Sequence, residues 1–275
     1  MSETSYGHRP RLTRRARLLL LLLALLVAAA VATVLLLRES GAPARSLVVP
    51  EGWRASQVYA AVDKRLDLPP GTAKKAVATA DLKLPAEARG NPEGYLFPAT
   101  YPVTDETTPG ALLAYMVATA NRRFGQDRLA ESARRGGLTV YQMVTVAGIV
   151  QAEADSAADM GKVARVIRNR LDRGMPLQMD STLNYALNRS TLATTTHDTR
   201  TDSPYNTYEH KGLPPTPIGN PGQQALDAAV HPAPGPWLYF VTVAPGDTRF
   251  TDSYAQHQLN VREFNENQRT RSGTG

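Results

Sequence analysis

The 275-residue chain has no cysteine, and only 7% of it is aromatic. Without thiols there is no disulfide framework and no thiolate to hold a metal ion. His197, His210, His231 and His257 are widely separated, and none stands in a His-Glu-x-x-His arrangement. Metal-dependent hydrolysis is therefore disfavoured, and each histidine reads as a surface or loop residue. No Gly-x-Ser-x-Gly turn marks a serine nucleophile, no glycine-rich loop offers a phosphate cradle, and no internal repeat occurs. These absences leave no expectation of a metal or cofactor.

A surplus of basic charge is also missing from most of the chain. The formal charge of +6 is concentrated at the start: residues 1–38 hold six arginines against one glutamate, which leaves 25 basic and 24 acidic residues beyond them. That balance gives no electrostatic footprint for nucleic acid. Behind Arg9, Arg11, Arg14, Arg15 and Arg17 runs an unbroken stretch of twenty residues, Leu18 to Leu37, all Leu, Val or Ala except Thr33. At helical rise the run spans roughly 30 Å, the thickness of a bilayer core. It is long for a signal-peptide core and lacks a clear cleavage site. We expect a retained transmembrane helix with a cytoplasmic basic tail (1–17), a linker (38–45) and everything beyond outside the cytoplasm.

The part after the linker reads as α+β. A strand and turn at Leu47 to Gly52 precede amphipathic helices at Ala55 to Leu66 and near Thr72 to Ala80, and a polar connector follows to Pro92. Residues 93–102 are aromatic, proline-punctuated and extended. Helices are expected at Ala111 to Phe124, Met160 to Leu171, Asp180 to Leu187 with Asp180 or Ser181 as its cap, Gln223 to Val230, and from Val261 onward. A strand from Trp237 to Val243 pairs with Arg249 to Thr251 across the Pro245-Gly246 turn. Residues 188–222 have little periodicity but carry aromatics and prolines, the mark of a long ordered loop.

One carboxylate stands out. The segment Thr139 to Glu153 opens on a capping box, Thr139 with Gln142, and is apolar on nearly every side until Gln151. Val146, Ile149 and Val150 fall within about 60° of Glu153 on the helical wheel, so the acid extends an apolar stripe. A desolvated carboxyl holds its proton to higher pH and can act as a general acid. Arg165 and Arg168 offer the alternative of an ion-paired, structural Glu153. Tyr95, Tyr101, Tyr205, Tyr208, Asn206 and Gln178 are residue types that bind sugars, and equally types that pack cores and turns.

Several ordered blocks carry a resemblance. They are Glu93-Gly94-Tyr95-Leu96-Phe97-Pro98-Ala99-Thr100-Tyr101, Ala147-Gly148-Ile149-Val150-Gln151-Ala152-Glu153-Ala154, Asn169-Arg170-Leu171, Met175-Pro176-Leu177-Gln178-Met179-Asp180-Ser181-Thr182, Tyr205-Asn206-Thr207-Tyr208 and Gly212-Leu213-Pro214-Pro215-Thr216-Pro217-Ile218-Gly219-Asn220-Pro221-Gly222. Together they resemble the YceG/MltG family of endolytic murein transglycosylases over about residues 47–265. The resemblance implies a single-pass anchor, a small LysM-like α/β annex (46–92), a YceG-like mixed α+β catalytic domain (93–268) and a flexible tail (269–275). It implies that Glu153 is the catalytic acid, that Gln178, Asp180, Tyr205, Asn206, Thr207 and Tyr95 hold the glycan, and that peptidoglycan strands, the cell membrane and peptidoglycan synthases or division and elongation machinery are the partners.

Two departures bear on this. The family pattern has a Glu-x-Glu pair where this chain has Gln151 and Glu153, so Glu153 alone is left to act. The stretch between Leu37 and Pro50 is shorter than the family's, which weakens the implication that the annex binds glycan. A muramidase-type hydrolase with Asp180 as second carboxyl, and a non-catalytic wall-binding scaffold, are the competing expectations.

Overall fold

The computed structural model describes residues 45–190 and 195–272. The basic tail and the apolar run from Leu18 to Leu37 lie outside the described residues. Among those described, no helix is long and apolar enough to cross a membrane. From Ser46 onward the chain forms a single contact unit of mixed α+β structure.

The described chain starts on strand β1 (Arg45–Val48), turns at Pro50 to Gly52, and enters helices α1 (Ala55–Arg65) and α2 (Thr72–Ala76). After the extended aromatic block, β2 (Thr100–Val103) returns to pair with β1. A helical layer follows: α3 (Pro109–Phe124), α4 (Asp127–Arg135), α5 (Val140–Glu153), α6 (Ala157–Asp172), the short α7 (Asp180–Ala186) and α8 (Gln223–Val230). The antiparallel ribbon of β3 (Tyr239–Ala244) and β4 (Asp247–Thr251) leads into α9 (Tyr254–Ser272), which packs on β3.

The centre of the molecule is α5. Thr139 and Gln142 form the expected capping box, which satisfies donors that a helix start leaves free. From Met143 to Val150 every residue is buried, because α4, α6, α7 and α8 all pack around it. Each fully buried Val, Ile or Met there contributes about 1.5–3 kcal/mol. Gly148 is small for a reason: a Cβ there would lie 3.3 Å from the Gly219 carbonyl, so the 212–222 loop crosses the helix at backbone distance.

The structure departs from the sequence expectations in three places. Helix α4 has no counterpart among the expected helices, because Leu129 and Ala133 are the only apolar side chains of this polar stretch that are buried, beside Ser132. Helix α9 begins at Tyr254 rather than Val261, since Ser253 Oγ accepts from Gln256 N–H and starts it about two turns earlier. Neither Asp180 nor Ser181 caps α7; Met179 is its N-cap, and Asp180 is already helical.

Candidate active site

Glu153 is the last residue of α5, and Ala154 after it is extended. The carboxylate Oε1 accepts a hydrogen bond from Ser181 N–H at 3.1 Å. Ser181 lies in the first turn of α7, where backbone N–H groups have no partner within the helix, so the acid fills a vacancy that the fold itself creates. Among the described residues Oε2 accepts no hydrogen bond, and it is the oxygen free to carry a proton. Burial raises the Glu153 pKa above the ordinary carboxyl value; the Ser181 N–H opposes that shift and the Asp180 charge adds to it. Position at the carbonyl end of α5 works in the same direction as burial, because the helix dipole disfavours negative charge there. Ser181 Oγ is buried beside the carboxyl, yet it stands outside hydrogen-bond geometry with any group.

The residues expected to hold the glycan divide into two groups. Asp180 lies within electrostatic range of the acid, and Gln178 stands two residues before Asp180 in the segment that leads into α7. Asp180 Oδ1 accepts from the Tyr208 hydroxyl at 2.5 Å, and Tyr208 is held protonated by burial and by that neighbour. Gln178 is exposed, takes a positive φ of 52°, and its side-chain oxygen accepts from Arg170. Tyr205 is half-buried, packs on Tyr185 with ring centroids 4.9 Å apart, and shares a hydrogen bond with Thr216.

The other three belong to the frame. Asn206 is 0% exposed, and its amide donates to the Thr199 and Thr201 carbonyls. Thr207 Oγ1 accepts from Met179 N–H and bonds to Thr182, fixing the approach to α7 from behind. Tyr95 is 2% exposed, stacks on Tyr141 and meets Phe124 edge-on inside the core.

Other residues that shape the site were not singled out from sequence. Arg170 is buried and donates to the Leu238, Pro176 and Leu177 carbonyls, pinning the extended segment before α7. Asn169 does the same for the 235–237 turn, so the Asn169-Arg170-Leu171 block is a loop clamp. Asn220 joins three segments: its Oδ1 accepts from Leu96 N–H, its side chain donates to Trp53 O, and its carbonyl accepts from Gly52 N–H.

Glu93 is a second carboxyl that burial keeps protonated to higher pH; it is 3% exposed, with a pKa pushed up to about 7. Both its oxygens are occupied, Oε1 by Ala55 N–H and Oε2 by the Tyr185 hydroxyl. The signal for Glu93 and Asn220 was their place within proline- and glycine-rich blocks, where a polar residue at a turn must satisfy backbone groups. Among the described residues no three His, Asp or Glu side chains converge as a metal cage would require.

A profile of the YceG-like family matches residues 26–263. The endolytic murein transglycosylase of Bacillus subtilis strain 168 is 37% identical over 166 residues, covering 60% of this chain and 46% of that protein. The endolytic murein transglycosylase of Streptococcus pneumoniae serotype 2 strain D39 is 34% identical over 182 residues, covering 64% of this chain and 33% of that protein. The chain thus spans less than half the length of these curated relatives. The crystal structure of a yceG-like protein from Listeria monocytogenes superposes with a TM-score of 0.69 at 28% identity, over 81% of this chain and 77% of that one.

Proposed function

Because the chain belongs to the YceG-like family, we propose that it is a lytic transglycosylase that cuts the β-1,4 bond between N-acetylmuramic acid and N-acetylglucosamine within peptidoglycan strands. The observation that carries this reading is the difference between Glu93 and Glu153, the two described carboxyls whose pKa burial raises. Glu93 has both oxygens bound, whereas Glu153 keeps one free and stays half-buried, within reach of substrate.

In this mechanism Glu153 enters protonated and gives its proton to the leaving oxygen as the bond to C1 breaks. The resulting carboxylate, steadied by Ser181 N–H, takes the proton of the muramic C6 hydroxyl while O6 bonds to C1. The strand ends in a 1,6-anhydro ring, no water is consumed, and the acid is restored. One carboxyl serves both transfers, while hydrolytic glycosidases ordinarily use two. Asp180, Tyr208, Gln178 and Tyr205 are the polar and aromatic groups proposed to hold the sugars.

The Leu18 to Leu37 run is proposed as the anchor that keeps residues 46–268 at the outer face of the membrane, with 46–92 as a LysM-like annex to the catalytic part and peptidoglycan synthases as neighbours. A second reading, a muramidase-type hydrolase, draws on the electrostatic influence of Asp180 on Glu153. End-group mass spectrometry of digested strands separates the two. Anhydro ends are expected; reducing ends would make Asp180 the water-activating base. Glu153→Gln is expected to slow cleavage by about 10²–10⁴-fold, the usual worth of a positioned acid. A variant with full activity would remove Glu153 from the role.

A further inference from the structure

A cleft of about 510 Å³ opens on the annex side of α7. Its walls include Arg54, Tyr59, Lys74, Glu93, Tyr185 and Asn188. Tyr185 follows Ser181 by four residues on α7, so the two share a face of the helix about 6 Å apart along its axis. The cleft therefore begins close to one sugar's length from the group that binds Glu153.

The chemistry of the walls differs from that around the acid. Arg54 lies over the Tyr185 ring at 5.2 Å, and its Nη2 donates to the Arg189 carbonyl. Lys74 is exposed and forms no ion pair among the described residues. Against these two cations stands one carboxylate, Glu93, which is buried with both oxygens taken. The cleft thus offers positive charge at its mouth, aromatic surface on its wall, and no free acceptor charge.

We infer that this cleft binds the peptide branch of peptidoglycan, with Lys74 and Arg54 receiving a branch carboxylate while the glycan backbone lies at Glu153. The inference rests on the proposed function and deepens it. The reasoning is one of charge. The amidated glycan backbone is neutral, so the anions of this polymer sit on its peptide branches, and a cationic cleft one residue along the strand from the acid matches them. The amide-rich branch also suits Asn188 and the tyrosine hydroxyls, which donate and accept hydrogen bonds.

The test is calorimetric titration of the full chain with a muramyl disaccharide carrying its peptide, and with the same disaccharide whose lactyl carboxyl is capped as a methylamide in place of the peptide. The peptide-bearing ligand is expected to bind roughly five-fold more tightly or better, the worth of a partly exposed ion pair. Lys74→Glu should abolish that preference and Lys74→Arg should keep it. Lys75→Glu, which changes the neighbouring exposed lysine outside the cleft, should also keep it. Equal affinity for the two ligands in the unaltered protein overturns the inference, as does equal loss with Lys74→Glu and Lys75→Glu. The readout is binding, so a chain that shows the preference but never cuts strands would sink the proposed function alone. A chain that cuts strands without the preference would sink this inference alone.

Discussion

Glu153 and Glu93 are both carboxyls that the fold keeps from ionising easily, and each lowers stability at the pH where it becomes charged. A carboxyl whose folded pKa is raised binds its proton more tightly in the native state, so its contribution is present at low pH and is lost as pH rises through the folded value. For Glu93 the window runs from about 4.5 to about 7, and the loss amounts to about 3 kcal/mol. We expect the melting temperature to fall as pH rises across that interval, and Glu93→Gln to flatten the fall. Identical pH profiles for the two proteins would show that Glu93 titrates normally. Glu153→Gln should behave alike in sign, so this variant is expected to melt at a higher temperature than the unaltered protein at neutral pH. A lower melting temperature would mean that the ionised acid is structurally required. The asymmetry is the ordinary conflict between stability and a strained, functional group.

At the level of elements, the site depends on irregular segments meeting over one helix. Gly94 has a φ of 83°, and a Cβ there would come within 2.6 Å of two Pro217 ring carbons, with Val144 of α5 beneath. Left-handed strain and a clash with a rigid ring add, so Gly94→Ala is expected to lower unfolding stability by about 3 kcal/mol or more. Thr139→Ala, which removes only a cap, should cost about 1 kcal/mol. Urea midpoints distinguish them, and equal shifts would mean that the two loops yield.

The same contrast explains what was readable beforehand. Helix α5, its capping box and the end position of Glu153 follow from local pattern, because a long apolar period and a turn residue act over a few positions. The partners of Glu153 do not. Ser181 lies 28 residues away and is brought in by Arg170 holding carbonyls, a tertiary act with no local period. Asn206 and Thr207 look like sugar-binding residues in sequence, and only their burial shows that the 195–210 loop uses them to order itself.

For the whole molecule, the charge division sets a simple expectation. Removing residues 1–38 lowers the formal charge from +6 to +1 and deletes the apolar run, so the remainder should leave the membrane pellet for the soluble fraction and still cut isolated strands. A truncated protein that stays in the pellet would locate membrane affinity elsewhere. The clip at Asn220 has another consequence, one of time. It ties Trp53 to a residue 167 positions later, and Leu96 to the same side chain. Contacts of such separation close late, since loop entropy is lost before they form. During synthesis from the N-terminus the first turn must wait, undocked, until Asn220 has been made. The cleft beside Tyr185 and the acid near it are thus completed together near the end of folding, and a nascent chain carries neither.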